Sequence, residues 1–191
     1  MRDAVMIEPA GKEDVQEVMP LLLAAIGHIA YTLAGTDDLK EAVRILSDFY
    51  AREDNRISYK HVLVDRREDG IAGMLLSYAG DGAAALDLPF VNREGRKSGA
   101  RADETIAVEA KEGEYYLDSI AVDERCQGQG IAKALIGAFE RKGLEQGYKR
   151  LSLIVEPDNA RAYELYKKLN YIEDGSIQVS GSRYIRMVKH N

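Results

Sequence analysis

One stretch concentrates residues whose types and spacing can do chemistry: Arg125-Cys126-Gln127-Gly128-Gln129-Gly130-Ile131-Ala132, set between a β-rich run and a helical one. The first turn of a helix leaves several backbone N–H groups without partners, and with the positive end of the helix dipole they form an anion site. Gly128 and Gly130 remove side chains that would keep a pyrophosphate off the backbone, and they permit unusual φ/ψ values. Arg125 and Lys133 add local positive charge. The plain alternative is a strand-to-helix turn that uses glycines for geometry. Two other phosphate loops are excluded: no Gly-x-x-x-x-Gly-Lys-Ser/Thr occurs, and no three-glycine dinucleotide fingerprint follows an N-terminal strand.

The elements that must position this loop are legible on both sides. Tyr115 to Val122 reads as the strand entering it, and Ile131, Leu135, Ala138 and Phe139 share one face of a helix that leaves it and ends at Gly147. Leu151 to Val155 reads as a buried strand, Asn159 to Leu169 as a short helix, and Tyr171 to Val179 and Tyr184 to Lys189 as closing strands. In the first half, Ala4 to Ile7 reads as a short strand. Val15, Val18, Leu22, Ile26 and Ile29 form one helical stripe that stops at Gly35-Thr36-Asp37. Thr36 or Asp37 can cap the next helix, whose stripe is Leu39, Val43, Leu46 and Tyr50. Tyr59 to Asp65 and Ile71 to Tyr78 are β-rich runs around an Asp69-Gly70 turn. Residues 80–113 carry no clear period apart from a candidate strand at Thr105 to Val108. The expected fold is α/β with a mixed central sheet of about six to seven strands, in the order β-α-α-β-β-(insert)-β-α-β-α-β-β. Residues 1–191 are read as one domain with an insert at about 80–113.

Composition narrows the function. The 191 residues are 46% hydrophobic and 30% charged, enough for a proper core. The 26 Lys and Arg against 32 Asp and Glu leave a net charge of −6, so nucleic acid is not the expected partner and any anion site is local. One cysteine, Cys126, excludes an intramolecular disulfide, and with only three histidines (His28, His61, His190) no metal is expected. No signal-peptide stretch and no run of 18 apolar residues is present, which leads us to expect a cytoplasmic protein without a membrane partner.

At this point the residues resemble a known family. Arg125-x-x-Gly128-x-Gly130-Ile131-Ala132 resembles the R/Q-x-x-G-x-G/A signature of the GCN5-related N-acetyltransferases (GNAT superfamily). Leu117 to Val122 is similar to the strand before that signature. Leu151-x-Leu153-x-Val155-x-x-x-Asn159-x-x-Ala162-x-x-Leu165-Tyr166-x-x-x-Asn170-Tyr171 resembles the second block. Asn170 stands where glycine is usual and Tyr171 where phenylalanine is; asparagine is the non-glycine residue most tolerant of a left-handed helix end. The match covers residues 112 to 175.

The resemblance implies transfer of an acetyl group from acetyl-CoA to an amine. It implies that backbone N–H groups from Gln127 through Gly128, Gln129, Gly130, Ile131 and Ala132 hold the pyrophosphate, aided by Arg125. It also implies that Ile120, Ala121 and Val122 present main chain to the pantetheine arm where parallel strands splay, much as an added strand would pair at a sheet edge. Tyr166 matches the family tyrosine beside the sulfur, and a phenol of pKa about 10 suits protonation of a departing thiolate. Its plain alternative is an aromatic packed on the helix face. Asn159 either contacts the pantetheine or only caps its helix. Asp118, two residues before Ile120, is the candidate base or ammonium holder, against a plain salt-bridge role; Glu114 is the second choice. Tyr115 and Tyr116 either shape the acceptor pocket or simply pack. His28 is expected to be structural and Cys126 incidental. Tyr31 and the acidic Asp37, Asp38, Asp81 and Asp87 border the expected acceptor side. The alternative class is an acyl-CoA-binding sensor or regulatory module without turnover, and a nucleotide-binding protein unrelated to acetyl transfer is disfavoured by the second block. Homodimers are common in the family, and the closing strands from Tyr171 onward are plausible contact surfaces.

Overall fold

A computed structural model describes residues 6–96 and 105–190. Its sheet has seven strands in the order β1-β2-β3-β4-β5-β7-β6, where β1 is Ile7–Pro9, β2 Val62–Arg67, β3 Gly70–Ala79, β4 Glu114–Val122, β5 Arg150–Val155, β6 Ile172–Val179 and β7 Ser182–His190. Every pairing is antiparallel except β4 with β5. The helices are α1 (Val15–Ile26), α2 (Ile29–Ala34), α3 (Leu39–Tyr50), α4 (Ala83–Val91), α5 (Ile131–Glu145) and α6 (Ala160–Lys168). The mixed sheet flanked by helices is the expected architecture. Among the described residues no helix is long and apolar enough to cross a membrane.

Alternation along the strands gives the sheet two apolar faces. Val62, Val64, Met74 and Leu76 pack under α1 and α3, while Leu75, Tyr115, Leu117, Leu151 and Leu153 pack against α5. The loop stop at Gly35 holds, with Gly35 as the left-handed C-cap of α2. The single stripe expected from Val15 to Ile29 belongs to two helices, because Gly27 (φ 53°) ends α1 at Ile26; α1 lies on the sheet, while α2 packs mainly on α3. Asp38, rather than Thr36 or Asp37, caps α3 by accepting from the Glu41 N–H at 2.7 Å. Leu39 is 53% exposed, and the inward face of α3 is Ala42, Ile45, Leu46, Phe49 and Tyr50. Tyr59–His61 forms a 3-10 turn ahead of β2.

The insert departs most from expectation. It contains α4, a helix apolar but for Asp87, whose lack of polar period hides it. Phe90 of α4 stacks on Phe49 of α3 with ring centroids 4.2 Å apart. Thr105 to Val108 forms no strand. The first strand, expected at Ala4 to Ile7 with a turn at Glu8-Pro9, is instead Ile7–Pro9; Ala4 and Val5 lie outside the described residues, as do Lys97 to Gly99 of the insert.

Candidate active site

The strand β4 organises the site. It pairs with β5 only from Glu114 opposite Arg150 to Leu117 opposite Leu153. Beyond that point β4 continues along β3 to Val122, and β5 continues along β7 to Val155. The facing edges from Asp118 and Ile154 onward are therefore unpaired by each other, and a cleft of about 170 Å³ lies there. Leu117 to Ile120, Ile154, Asn159 and Tyr166 line it, with Ile26 and Ile29 from the α1–α2 corner. The register of β3 against β4 skips one residue, from Leu76 opposite Ser119 to Ser77 opposite Leu117. Asp118 is that extra residue, and a bulge of this kind re-aims a side chain.

At the far end of β4 the chain makes a 3-10 turn, Glu124–Cys126, and then the glycine loop. Gly128 and Gly130 have φ of 75° and 84°, the left-handed region that favours glycine, and Gly130 caps α5. A Cβ placed on either glycine would meet nothing within 4 Å, so their bareness keeps space open in front of the loop. Backbone N–H groups from Gly128 to Lys133 have no acceptor among the described residues. Such a run of free donors at the N-terminus of a fifteen-residue helix fits an anionic group. Arg67 donates to Gln129 Oε1 at 3.1 Å and Arg161 to Gln127 Oε1 at 2.9 Å, bracing the loop from both sides. Arg125 is 87% exposed and folded back on Asp123, whose carboxyl its hydrogen bonds hold down at about 2.

At the cleft, Tyr166 is only 5% exposed. Its ring meets Tyr171 edge-on at 6.0 Å, and its hydroxyl has no hydrogen-bond partner among the described residues. Burial pushes the phenol up to about 12, so it carries its proton throughout the neutral range. Asn159 accepts from the Ala162 N–H at 3.1 Å and caps α6 while also lining the cleft.

The floor of the cleft is a charged cluster centred on Arg56, whose side chain is 4% exposed. Its guanidinium donates to Asp118 Oδ2 through Nε at 3.0 Å and Nη2 at 2.5 Å, and to Glu109 Oε1 at 2.6 Å. Nη1 lies 3.5 Å from Asp87 Oδ1. Tyr78 donates to Asp118 at 2.7 Å and Tyr116 to Glu109 at 2.5 Å. The turn that presents Arg56 is tied down by Asn55, whose amide donates to Phe49 O at the end of α3. The insert thus contributes two carboxylates, Asp87 and Glu109, to one buried guanidinium.

Burial lifts Asp87 to about 6, with Arg56 pulling the other way. A carboxyl raised on folding favours the folded state while protonated, and that contribution is lost as pH rises through about 6. Unfolding by denaturant is expected to show a stability gain between about pH 7 and pH 5 that Asp87→Asn abolishes.

The remaining candidates lie elsewhere. Glu114 sits at the opposite end of β4, where Arg186, Ser152 and Arg150 hold it. Tyr115 packs on Phe139 and Tyr148 on the α5 face, away from the cleft, and Tyr116 lies beneath it as the partner of Glu109. His28 Nε2 lies 3.2 Å from Ser180 O, a structural contact between α2's start and the β6–β7 turn. Asp81 accepts from the Gly113 N–H. Arg56 and Glu109 were not among the sequence candidates. Arg56 lies in Arg52-Glu53-Asp54-Asn55-Arg56, which reads as a solvated charge run, and Glu109 follows a stretch without period. No group of His, Cys, Asp and Glu among the described residues could hold a metal ion.

A sheet whose one parallel pair opens into a cleft, with a bare glycine loop beyond one strand and Tyr166 in the gap, is the arrangement that the family resemblance implies. The family model described as the acetyltransferase (GNAT) family matches residues 30–171, and the chain belongs to that family. An acetyltransferase of Sodalis glossinidius is 37% identical over 71 residues, which are 37% of this chain and 48% of that protein. A mycothiol acetyltransferase of Jonesia denitrificans is 45% identical over 53 residues, 28% of this chain and 16% of that protein. The aligned stretch thus spans about half the length, or less, of these curated relatives. An N-acetyltransferase from Staphylococcus aureus Mu50 shares the fold at TM-score 0.80 and 23% identity, with 96% of this chain and all of that chain covered. A Bacillus subtilis acetyltransferase solved in complex with CoA has a TM-score of 0.59 at 17% identity, with 98% and 99% covered.

Proposed function

We propose that this protein transfers an acetyl group from acetyl-CoA to a primary amine. The observation that carries this reading is the parting of β4 and β5 after Leu117 and Leu153, which opens a cleft lined by Tyr166 beside the strand that leads on into the bare loop of Gly128 and Gly130. The residues fit the co-substrate: free N–H groups from Gly128 to Ala132 suit its pyrophosphate, with Gln127 and Arg125 at the turn before them. The open edge of Ile120, Ala121 and Val122 suits the two amides of its pantetheine arm. Bound there, acetyl-CoA supplies the acyl group as a thioester.

The protein's own groups divide the remaining work. A main-chain N–H of Ile120 or Val122 donates to the acyl carbonyl oxygen as negative charge grows on it. Tyr166, kept neutral by burial, donates its proton to the departing sulfur. Asn159 fixes the start of α6 and with it the height of Tyr166 in the cleft. Asp118 and Glu109 are the two buried carboxylates on the cleft that can receive the amine's proton.

Calorimetric titration with acetyl-CoA, with 3′-dephospho-CoA and NAD as controls, tests the binding half of this reading, and thiol release in the presence of amines tests the chemical half. Binding without thiol release from any amine would favour a sensor. Tyr166→Phe is expected to lower turnover by about 10²-fold with little change in acetyl-CoA affinity. An unchanged rate would remove Tyr166 from the mechanism.

A further inference from the structure

Resting on the acyl-transfer reading above, we propose that Glu109 takes the proton from the acceptor's ammonium group, and that Asp118 is a positioning residue that holds Arg56. The argument begins with lone pairs. A carboxylate offers about four acceptor directions. Asp118 takes four donors, Arg56 Nε and Nη2 and the Tyr78 hydroxyl crowded on Oδ2 and the Ser119 hydroxyl on Oδ1 at 2.7 Å, so only Oδ1 keeps a direction open. Glu109 receives two, Arg56 Nη2 on Oε1 and the Tyr116 hydroxyl on Oε2. It lines the same cleft as Tyr166 with acceptor capacity left for an N–H of the substrate.

The surrounding charges point the same way. Arg56 faces Glu109, Asp118 and Asp87 together, so one guanidinium is set against three carboxylates in a buried place. From β7, Arg186 donates to the Glu109 carbonyl at 3.1 Å, but its own charge is matched by Glu114. Tyr184 of β7 and Tyr78 and Tyr116 of the sheet complete the titratable surroundings. An ammonium entering beside Glu109 offsets the excess negative charge. Burial lifts the Glu109 carboxyl, Arg56 opposes that, and the Asp118 charge lifts it again, for a net rise. A raised carboxyl is the stronger base and narrows the gap to an ammonium. The Tyr166 side chain lines the same cleft, and its hydroxyl has no hydrogen-bond partner among the described residues.

The step balances simply. One N–H bond of the ammonium breaks, its electron pair stays on nitrogen as the attacking lone pair, and the proton forms an O–H bond on Glu109. The resulting carboxylic acid returns the proton to solvent after the product leaves.

The test uses the full chain at saturating acetyl-CoA and two amines: ethylamine, protonated at neutral pH, and 2,2,2-trifluoroethylamine, largely neutral there. Thiol release is followed between about pH 6 and 9. Glu109→Gln is expected to lower kcat/KM for ethylamine by about 10²-fold at neutral pH, with the deficit shrinking as pH rises, and to stay within about threefold of the unaltered protein on trifluoroethylamine. Asp118→Asn is expected to lower both amines by the same factor, as loss of positioning would. Glu109→Asp keeps the charge beside Arg56 and guards against misfolding of the glutamine variant; it should show the same amine-dependent split, more weakly. Calorimetric affinity for acetyl-CoA should be the same in all four proteins. Equal losses on both amines with an unshifted pH profile in Glu109→Gln and Glu109→Asp would overturn the assignment. So would an unaltered protein that binds acetyl-CoA but releases thiol with neither amine, whereas failure to bind acetyl-CoA would sink the acyl-transfer reading itself.

Discussion

Arg56→Ala is expected to destabilise the fold by about 3–5 kcal/mol, because it leaves buried carboxylates without their cation. Asp118, Glu109 and Asp87 all turn their oxygens on this one guanidinium. Truncating it would remove the only positive charge facing these carboxylates among the described contacts of the cluster, and it would strip donors from Asp118 and Glu109. Equilibrium unfolding in urea would measure the loss. The loss should shrink at acidic pH, where protonation of the carboxyls removes the mutual repulsion. It should shrink as well when Glu109→Gln and Asp87→Asn are added, since the penalty comes from uncompensated charge rather than from a missing contact. A loss under about 1 kcal/mol would mean that water reaches the cluster and that its electrostatics are those of a surface.

Gly128→Val is expected to weaken acetyl-CoA binding by about 10²-fold or more while the fold survives. Two facts separate the effects. The added Cβ would meet no protein atom within 4 Å, so nothing in the folded chain has to move. The backbone sits at φ 75°, which costs a β-branched residue on the order of 1–3 kcal/mol. The melting temperature should therefore fall by several degrees with cooperative unfolding retained. The isopropyl group would meanwhile occupy the space through which the pyrophosphate reaches the free N–H groups, and those donors cannot be replaced from elsewhere in the loop. Retention of full affinity, read by calorimetry, would displace the pyrophosphate from this loop.

The order of elements in the second half was written in local signals. The periods of β4, α5, β5 and α6, the glycines at 128 and 130 and the cap at Asn159 are all short-range features, and each element forms where its own residues ask for it. The loop and the strand that feeds it were legible for the same reason, as backbone geometry depends on the residue that must adopt it. In the first half the stripe from Val15 to Ile29 was visible, but its break at Gly27 was not, because the residues on either side keep the same phase. The helix α4 was hidden by the opposite fault: apart from Asp87 it is apolar, and only its packing on α3 and on the turn at Asn55 and Arg56 gives it a face.

The floor of the cleft was a matter of tertiary structure alone. A carboxylate on a strand reads the same whether it meets water or a buried guanidinium, and Arg56 reads as one more member of a charged run. Three segments far apart in sequence, at residue 56, at residues 87 and 109 in the insert, and at residue 118 on the bulge of β4, acquire their meaning by meeting in a place that excludes water. There Arg56, Tyr78 and Ser119 crowd Asp118 with four donors, while Glu109 receives two. The sequence by itself determined the family, the sheet and the loop that suits a pyrophosphate, since these rest on local periods and backbone demands. Which carboxylate stands free to accept a proton was decided by long-range packing and desolvation, which no local pattern encodes.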